Sequence, residues 1–140
     1  MNVRVKQLDG ITLAAISGTG HWTVMDTESQ HGGHEAAAKP MELVLMGLGG
    51  CSGMDVVSVL KKMRVPFTDM EVNVDADQAD EHPRVFTSIR MEFLIYGENI
   101  EGAKVEQAIE LSKNKYCSVW AMLKKTADIQ YSYRIMAEKS

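Results

Sequence analysis

Two cysteines, Cys51 and Cys117, are the residues of this 140-residue chain best suited to carry chemistry. They lie 66 positions apart, so neither a Cys-x-x-Cys redox pair nor a local zinc knuckle is encoded. Whatever they do together depends on the fold. Cys51 sits among Gly47, Gly49, Gly50 and Gly53 in an apolar stretch, a setting where free cysteine ordinarily packs as a small hydrophobe. Asp55, one helical turn further on, offers a thiolate repulsion rather than help, so activation has to come from elsewhere. Cys117 opens a short helical segment close to Lys113 and Lys115, where exposed N–H groups and positive charge favour the anion. His31-Gly-Gly-His34 has the spacing of a metal clip, but a structural zinc site needs about four ligands and a catalytic one about three. Neither cysteine is close in sequence, and no metal site is assigned. His21, His82 and the acidic Asp75 to Glu81 run read as solvated surface, and Trp22 and Trp120 as core or interface residues.

The elements that must position these groups follow from periodicity. Val3 and Val5 alternate with Arg4 and Lys6, Ile11 to Ile16 are mostly β-compatible, and Trp22 and Val24 alternate with His21 and Thr23. These segments make a three-stranded meander with turns at Asp9-Gly10 and Ser17 to Gly20. From Thr27 to Lys39 two glycines and polar side chains without apolar period predict a mobile loop. Pro40 suits a first helical position, and the helix it opens, running to about Met63, is apolar on nearly all sides. It is expected to be buried on most of them. Its four glycines each cost roughly 1 kcal/mol relative to alanine, which implies close approach of another backbone or a ligand. Beyond Pro66, Met70, Val72, Val74 and Ala76 alternate with acidic and polar residues in a strand, and Val85 to Ile95 supplies a long antiparallel partner. Val105, Ala108, Ile109 and Ser112 recur at helical spacing, Val119 to Lys125 forms another short helix, and Ile129 to Ile135 alternates in a last strand. The order βββαββααβ predicts an α+β fold of antiparallel sheets with helices on one side, a single domain over 1–140.

Composition limits the partners. With 15 Lys+Arg against 19 Asp+Glu and a net charge of -4, there is no cationic surface to offset phosphate repulsion. Nucleic acid and anionic membranes are therefore not expected partners, and no apolar run approaches the roughly 20 residues that span a bilayer. Met1 to Lys6 lacks the pattern of a secretory signal, so a cytoplasmic protein with thiols reduced at rest is expected. A helix apolar all round needs more cover than one sheet provides, and a second copy of the chain would supply it.

Lys39-Pro-Met-Glu-Leu-Val-Leu-Met-Gly-Leu-Gly-Gly-Cys51-Ser, followed by Lys115-Tyr-Cys117-Ser-Val, resembles the two cysteine motifs of the OsmC/Ohr family, and the element order matches that fold over essentially the whole chain. The resemblance implies an intertwined homodimer whose long glycine-floored helices pack at its centre, with two active sites at the interface. It implies reduction of an organic hydroperoxide substrate, with Cys51 peroxidatic and Cys117 resolving, and recycling by a dithiol reductant such as a lipoyl protein. No cofactor is implied. Family peroxidases stabilise the thiolate with an arginine from the N-terminal strands or loop, held by a glutamate ten residues before the first cysteine. Here no arginine lies between Arg4 and Arg64, position 41 is Met, and the matching carboxylate is Glu42, nine residues before Cys51. Glu42 joins the two cysteines as a candidate catalytic residue, although nine residues of unbroken helix turn it by about half a turn from Cys51. Lys39 offers a point charge without arginine's planar fork, and Ser118 stands where proline commonly follows the second cysteine. These departures also fit an alternative, a non-catalytic dimer that binds a small apolar molecule or senses redox state.

Overall fold

The computed structural model describes residues 1–138, in two compact units, residues 1–44 and those from Leu45 onward. In the first, strands β1 (Val3–Asp9), β2 (Thr12–Ser17) and β3 (Trp22–Met25) form the antiparallel meander that alternation predicts, in the order β1-β2-β3. The loop that follows, expected to be mobile, has local order. It contains a 3-10 turn at Ser29–His31 and is organised around the buried carboxylate of Asp26. Asp26 accepts hydrogen bonds from Thr12 Oγ1 at 3.1 Å and from the backbone N–H groups of Thr27, His34 and Ala36 at 2.9, 3.0 and 3.1 Å. A carboxylate taken out of water must have its oxygens satisfied, and a polar, glycine-rich chain has free N–H groups to give. A Cβ at Gly33 would lie 2.1 Å from the carbonyl oxygen of Thr27, so the wrapping tolerates no side chain there.

Helix α1 (Pro40–Lys62) starts at the expected proline and ends on Lys61 and Lys62, where cations suit the helix dipole. The second unit then carries β4 (Phe67–Gln78), β5 (Phe86–Gly97), α2 (Gly102–Leu111), a π-helical turn at Ser112–Tyr116, α3 (Ser118–Leu123) and β6 (Asp128–Met136). Its sheet has the order β4-β5-β6. β4 and β5 are antiparallel as expected, whereas β6 runs parallel to β5. The physical reason is the connection: α2 and α3 form a helical crossover long enough to return the chain to its starting end, which a hairpin cannot do.

Register puts Val72, Val74, Met91, Phe93, Tyr131 and Tyr133 on one face of this sheet. All the helices lie on that face, with Gly49 and Gly53 of α1 over Val74 and Val72 and Gly102 of α2 over Tyr133. The core is built from Ile89, Phe93 and Ile95 of β5, Leu48, Val56 and Leu60 of α1, Val105 and Ile109 of α2, and Trp120 of α3, all fully buried or nearly so. The opposite face is polar, with Arg90 bridging Asp75 and Asp77 and Arg134 bridging Glu92.

Within one chain α1 is buried on one side only. Met46 is 57% and Met54 77% exposed, and a Cβ at Gly47 or Gly50 would meet nothing within 4 Å. One sheet covers one helix face, so the expectation of a helix buried on most sides is not met by this chain alone. By length and mean hydropathy, 1.8, α1 also resembles a membrane span, contrary to the expectation that no apolar run comes near one. Its buried face and its acidic Asp55 are nonetheless committed to packing and hydrogen bonding inside the second unit.

Candidate active site

Cys51, Ser52 and Asp55 occupy one turn of α1, and across from them stand Ser112, at the start of the π-helical turn, and Cys117, which caps α3. The wider turn lets the chain leave α2 and start α3 with a single extended residue, Cys117, between them. The N–H of Cys117 bonds the carbonyl of Ser112 at 2.9 Å, and the Cys117 Sγ accepts the N–H of Trp120 at 3.3 Å. Both sulfurs and a carboxylate oxygen of Asp55 lie within 4.8 Å of one another. The fold thus brings together two free thiols 66 residues apart.

Burial separates their roles. Cys117 is 3% exposed, whereas Cys51 is half-buried and next to the open face of α1. Desolvation, with added repulsion from Cys51 and Asp55, pushes the Cys117 thiol up to about 11 and outweighs the hydrogen bond from Trp120. Of the thiolate-favouring groups expected around Cys117, the helix-start N–H is present, from Trp120, and the lysines are not. α3 is only six residues long, and the expected lysines turn elsewhere: Lys113 lies 3.8 Å from Glu110 and over the Tyr131 ring, and Lys115 over the Tyr116 ring.

A buried hydroxyl chain completes the cluster. The Ser112 hydroxyl donates to Asp55 Oδ2 at 2.9 Å, and Ser52 Oγ lies 2.9 Å from Ser112 Oγ. Ser112 has one proton to give, and it goes to the carboxylate, so Ser52 donates to Ser112. Both serines are fully buried. Sequence reasoning missed this pair, although Ser112 falls in the apolar stripe of Val105, Ala108 and Ile109, where a small polar residue signals a buried partner.

Of the candidate residues, Cys51 and Cys117 meet, while Glu42 serves the start of α1, its Oε2 accepting the N–H of Lys39 at 2.8 Å. Lys39 pairs through its ammonium with Glu28. In the first unit, His34 is held by Thr12 at 2.9 Å and lies 3.6 Å from Asp9, and His31 is exposed in the 3-10 turn.

The OsmC-like protein family model matches residues 32–132. Protein YhfA of Escherichia coli (strain K12) is 42% identical over 137 residues, covering 98% of this chain and 99% of its own. A crystal structure of a hypothetical protein from Aquifex aeolicus VF5 is 29% identical with a TM-score of 0.86, covering 99% of this chain and 97% of that one. An organic hydroperoxide resistance protein from Legionella pneumophila, 12% identical with a TM-score of 0.68 over 99% of this chain and 98% of that one, shares the fold.

Proposed function

The chain belongs to the OsmC-like family, and from that premise we propose that it reduces organic hydroperoxides with its cysteine pair. Family membership supports a role in oxidative or osmotic stress response, and the fold is shared with organic hydroperoxide resistance proteins. The observation that carries the reading is the convergence of an accessible thiol, Cys51, with a sheltered one, Cys117, within 4.8 Å.

The Cys51 thiolate attacks the distal peroxide oxygen, forming an S–O bond as the O–O bond breaks. The departing alkoxide takes a proton and leaves as the alcohol, and Cys51 remains as the sulfenic acid. The Cys117 sulfur then attacks Cys51 Sγ, a disulfide forms, and the hydroxyl leaves as water. An external dithiol reduces the disulfide by exchange and is itself oxidised. Keeping Cys117 protonated until Cys51 is oxidised suits this order, because a buried neutral thiol does not compete for the peroxide. Beside Cys51, Gly47, Gly50 and Met54 present an apolar surface, and each substrate CH₂ buried there contributes roughly 0.8 kcal/mol in favour of organic peroxides. A second copy of the chain covering that surface would close the site.

Incubation with cumene hydroperoxide and dithiothreitol tests the reading. Peroxide loss should depend on Cys51, and stopping the reaction before reductant is added should leave a Cys51–Cys117 disulfide two hydrogens lighter by mass. Peroxide loss no faster for wild type than for Cys51→Ser would overturn it.

A further inference from the structure

Two sulfurs and a carboxylate form an unusual group, because every member becomes negative on ionisation and no lysine or arginine among the described residues is paired with any of them. The three donors suit a soft or borderline divalent cation, and we propose that Cys51, Cys117 and Asp55 bind one thiophilic metal ion of the zinc class per chain, with the fourth position open. This goes beyond hydroperoxide reduction and does not depend on it.

The geometry carries the inference. With Zn–S near 2.3 Å and Zn–O near 2.0–2.2 Å, tetrahedral coordination sets the ligand atoms roughly 3.5–3.8 Å apart. The three atoms here already lie within 4.8 Å of one another, so shifts of about 1 Å bring them to that spacing. The surroundings are those of a ligand set held in place. Asp55 Oδ2 accepts from Ser112, itself bonded to fully buried Ser52, which holds the carboxylate in orientation. The Trp120 N–H at 3.3 Å fixes the Cys117 sulfur. Cys51 and Asp55 are half-buried, so an ion reaches the set by the same route that a peroxide takes to Cys51.

The binding step is balanced: a divalent cation joins two thiols and one carboxylate, and two protons leave to solvent. Cation and peroxide therefore compete for the same sulfurs. Metal-bound thiolates are shielded from oxidation, and the disulfide form has no thiolates with which to hold the ion, so oxidation would release it.

Cobalt(II), a spectroscopic substitute for zinc, provides the probe, added to the reduced full chain after chelator treatment. The expected result is one equivalent bound per chain, with sulfur-to-cobalt charge-transfer absorption and the strong visible bands of tetrahedral coordination. Zinc should displace it, and the diamide-oxidised protein should bind none. That comparison uses wild type alone and is immune to misfolded variants. Cys51→Ser and Cys117→Ser should each halve the charge-transfer absorption, and Asp55→Asn should keep it while weakening binding at least ~10-fold. Replacing both His31 and His34 by Ala should change nothing. Failure to take up a stoichiometric ion, uptake without sulfur bands, affinity unchanged in Asp55→Asn, or loss of binding in the double histidine variant would each overturn the proposal. Peroxide reduction assayed in chelator is a separate measurement, so failure of one reading leaves the other standing.

Discussion

Removing the Ser112 hydroxyl is the sharpest test of how the site is held. Ser112→Ala leaves almost no cavity, so its cost is that of hydrogen bonding alone. Two bonds are lost. The charge-assisted bond to Asp55 Oδ2, 2.9 Å long, is of a kind worth about 1.5–3 kcal/mol, and the fully buried Ser52 hydroxyl loses its acceptor, at a cost of about 1–3 kcal/mol. Asp55 is only half-buried and recovers part of its loss from water, which brings the expected total to about 2–3 kcal/mol. Ser52→Ala removes a donor whose absence Ser112 tolerates, because Ser112 still gives its proton to Asp55, and should cost about 1 kcal/mol. In the double variant no orphaned hydroxyl remains, so it should be no less stable than Ser112→Ala alone. The singles then exceed the double by about 1 kcal/mol or more. Urea unfolding at one fixed protein concentration measures all three. Additivity within about 0.3 kcal/mol, or Ser112→Ala within about 0.5 kcal/mol of wild type, would show that the chain Ser52 to Ser112 to Asp55 does not hold the site.

Other features give further tests. Burial draws the Asp26 carboxyl upward, but the N–H groups of Ala36, Thr27 and His34 and the Thr12 hydroxyl bind the anion and leave it below its usual value. A carboxyl depressed in the folded state stabilises fully above its unfolded value, about 4, and less as pH falls through the folded one. Amide-exchange protection at Thr27, His34 and Ala36 should therefore drop below about pH 4 in wild type and be low already at neutral pH in Asp26→Asn; protection independent of both would refute the assignment. At Gly53 a Cβ meets Met70 Cε at 3.3 Å and Val72 at 3.5 Å, so Gly53→Leu should overpack the helix–sheet contact by about 1–3 kcal/mol in urea unfolding. Gly50 faces open space in one chain, and Gly50→Leu should leave the chain's own packing intact while abolishing the homodimer proposed above, read by light scattering at micromolar concentration. A stable, folded wild-type monomer would overturn that assembly.

Alternation and helical spacing carried most of the fold, because each strand and helix has one face in the core and the residue pattern records it. Val72 and Val74 on β4 and Val105, Ala108 and Ile109 on α2 were legible for this reason. The same patterns are silent on direction. A strand of alternating Ile129, Tyr131 and Tyr133 reads identically whether it joins β5 parallel or antiparallel, and the length of the crossover through α2 and α3 decides it. The order of the loop after β3 is not legible, because it lies in backbone N–H groups converging on Asp26, and any residue type supplies an N–H.

The site divides along the same line. Motif resemblance picked out Cys51 and Cys117 as a pair, yet which thiol lies deeper is a property of the packing: Cys117 is enclosed where the π-helical turn meets α3, while Cys51 borders the open side of α1. The glycines of α1 show how one sequence feature serves two surfaces. Gly49 and Gly53, four apart, lie against β4, where a Cβ would stand 3.2 Å from Val74 and 3.3 Å from Met70. Gly47 and Gly50, three apart, point away from that sheet and meet nothing within the chain. Spacing sets the two pairs about 110° apart around the helix but is silent on which face the sheet covers. The first pair is explained by packing inside the chain. The second, which still carries the helix-propensity cost of about 1 kcal/mol per glycine, has no compensating contact there, and this is the strongest physical argument that another surface closes over Cys51.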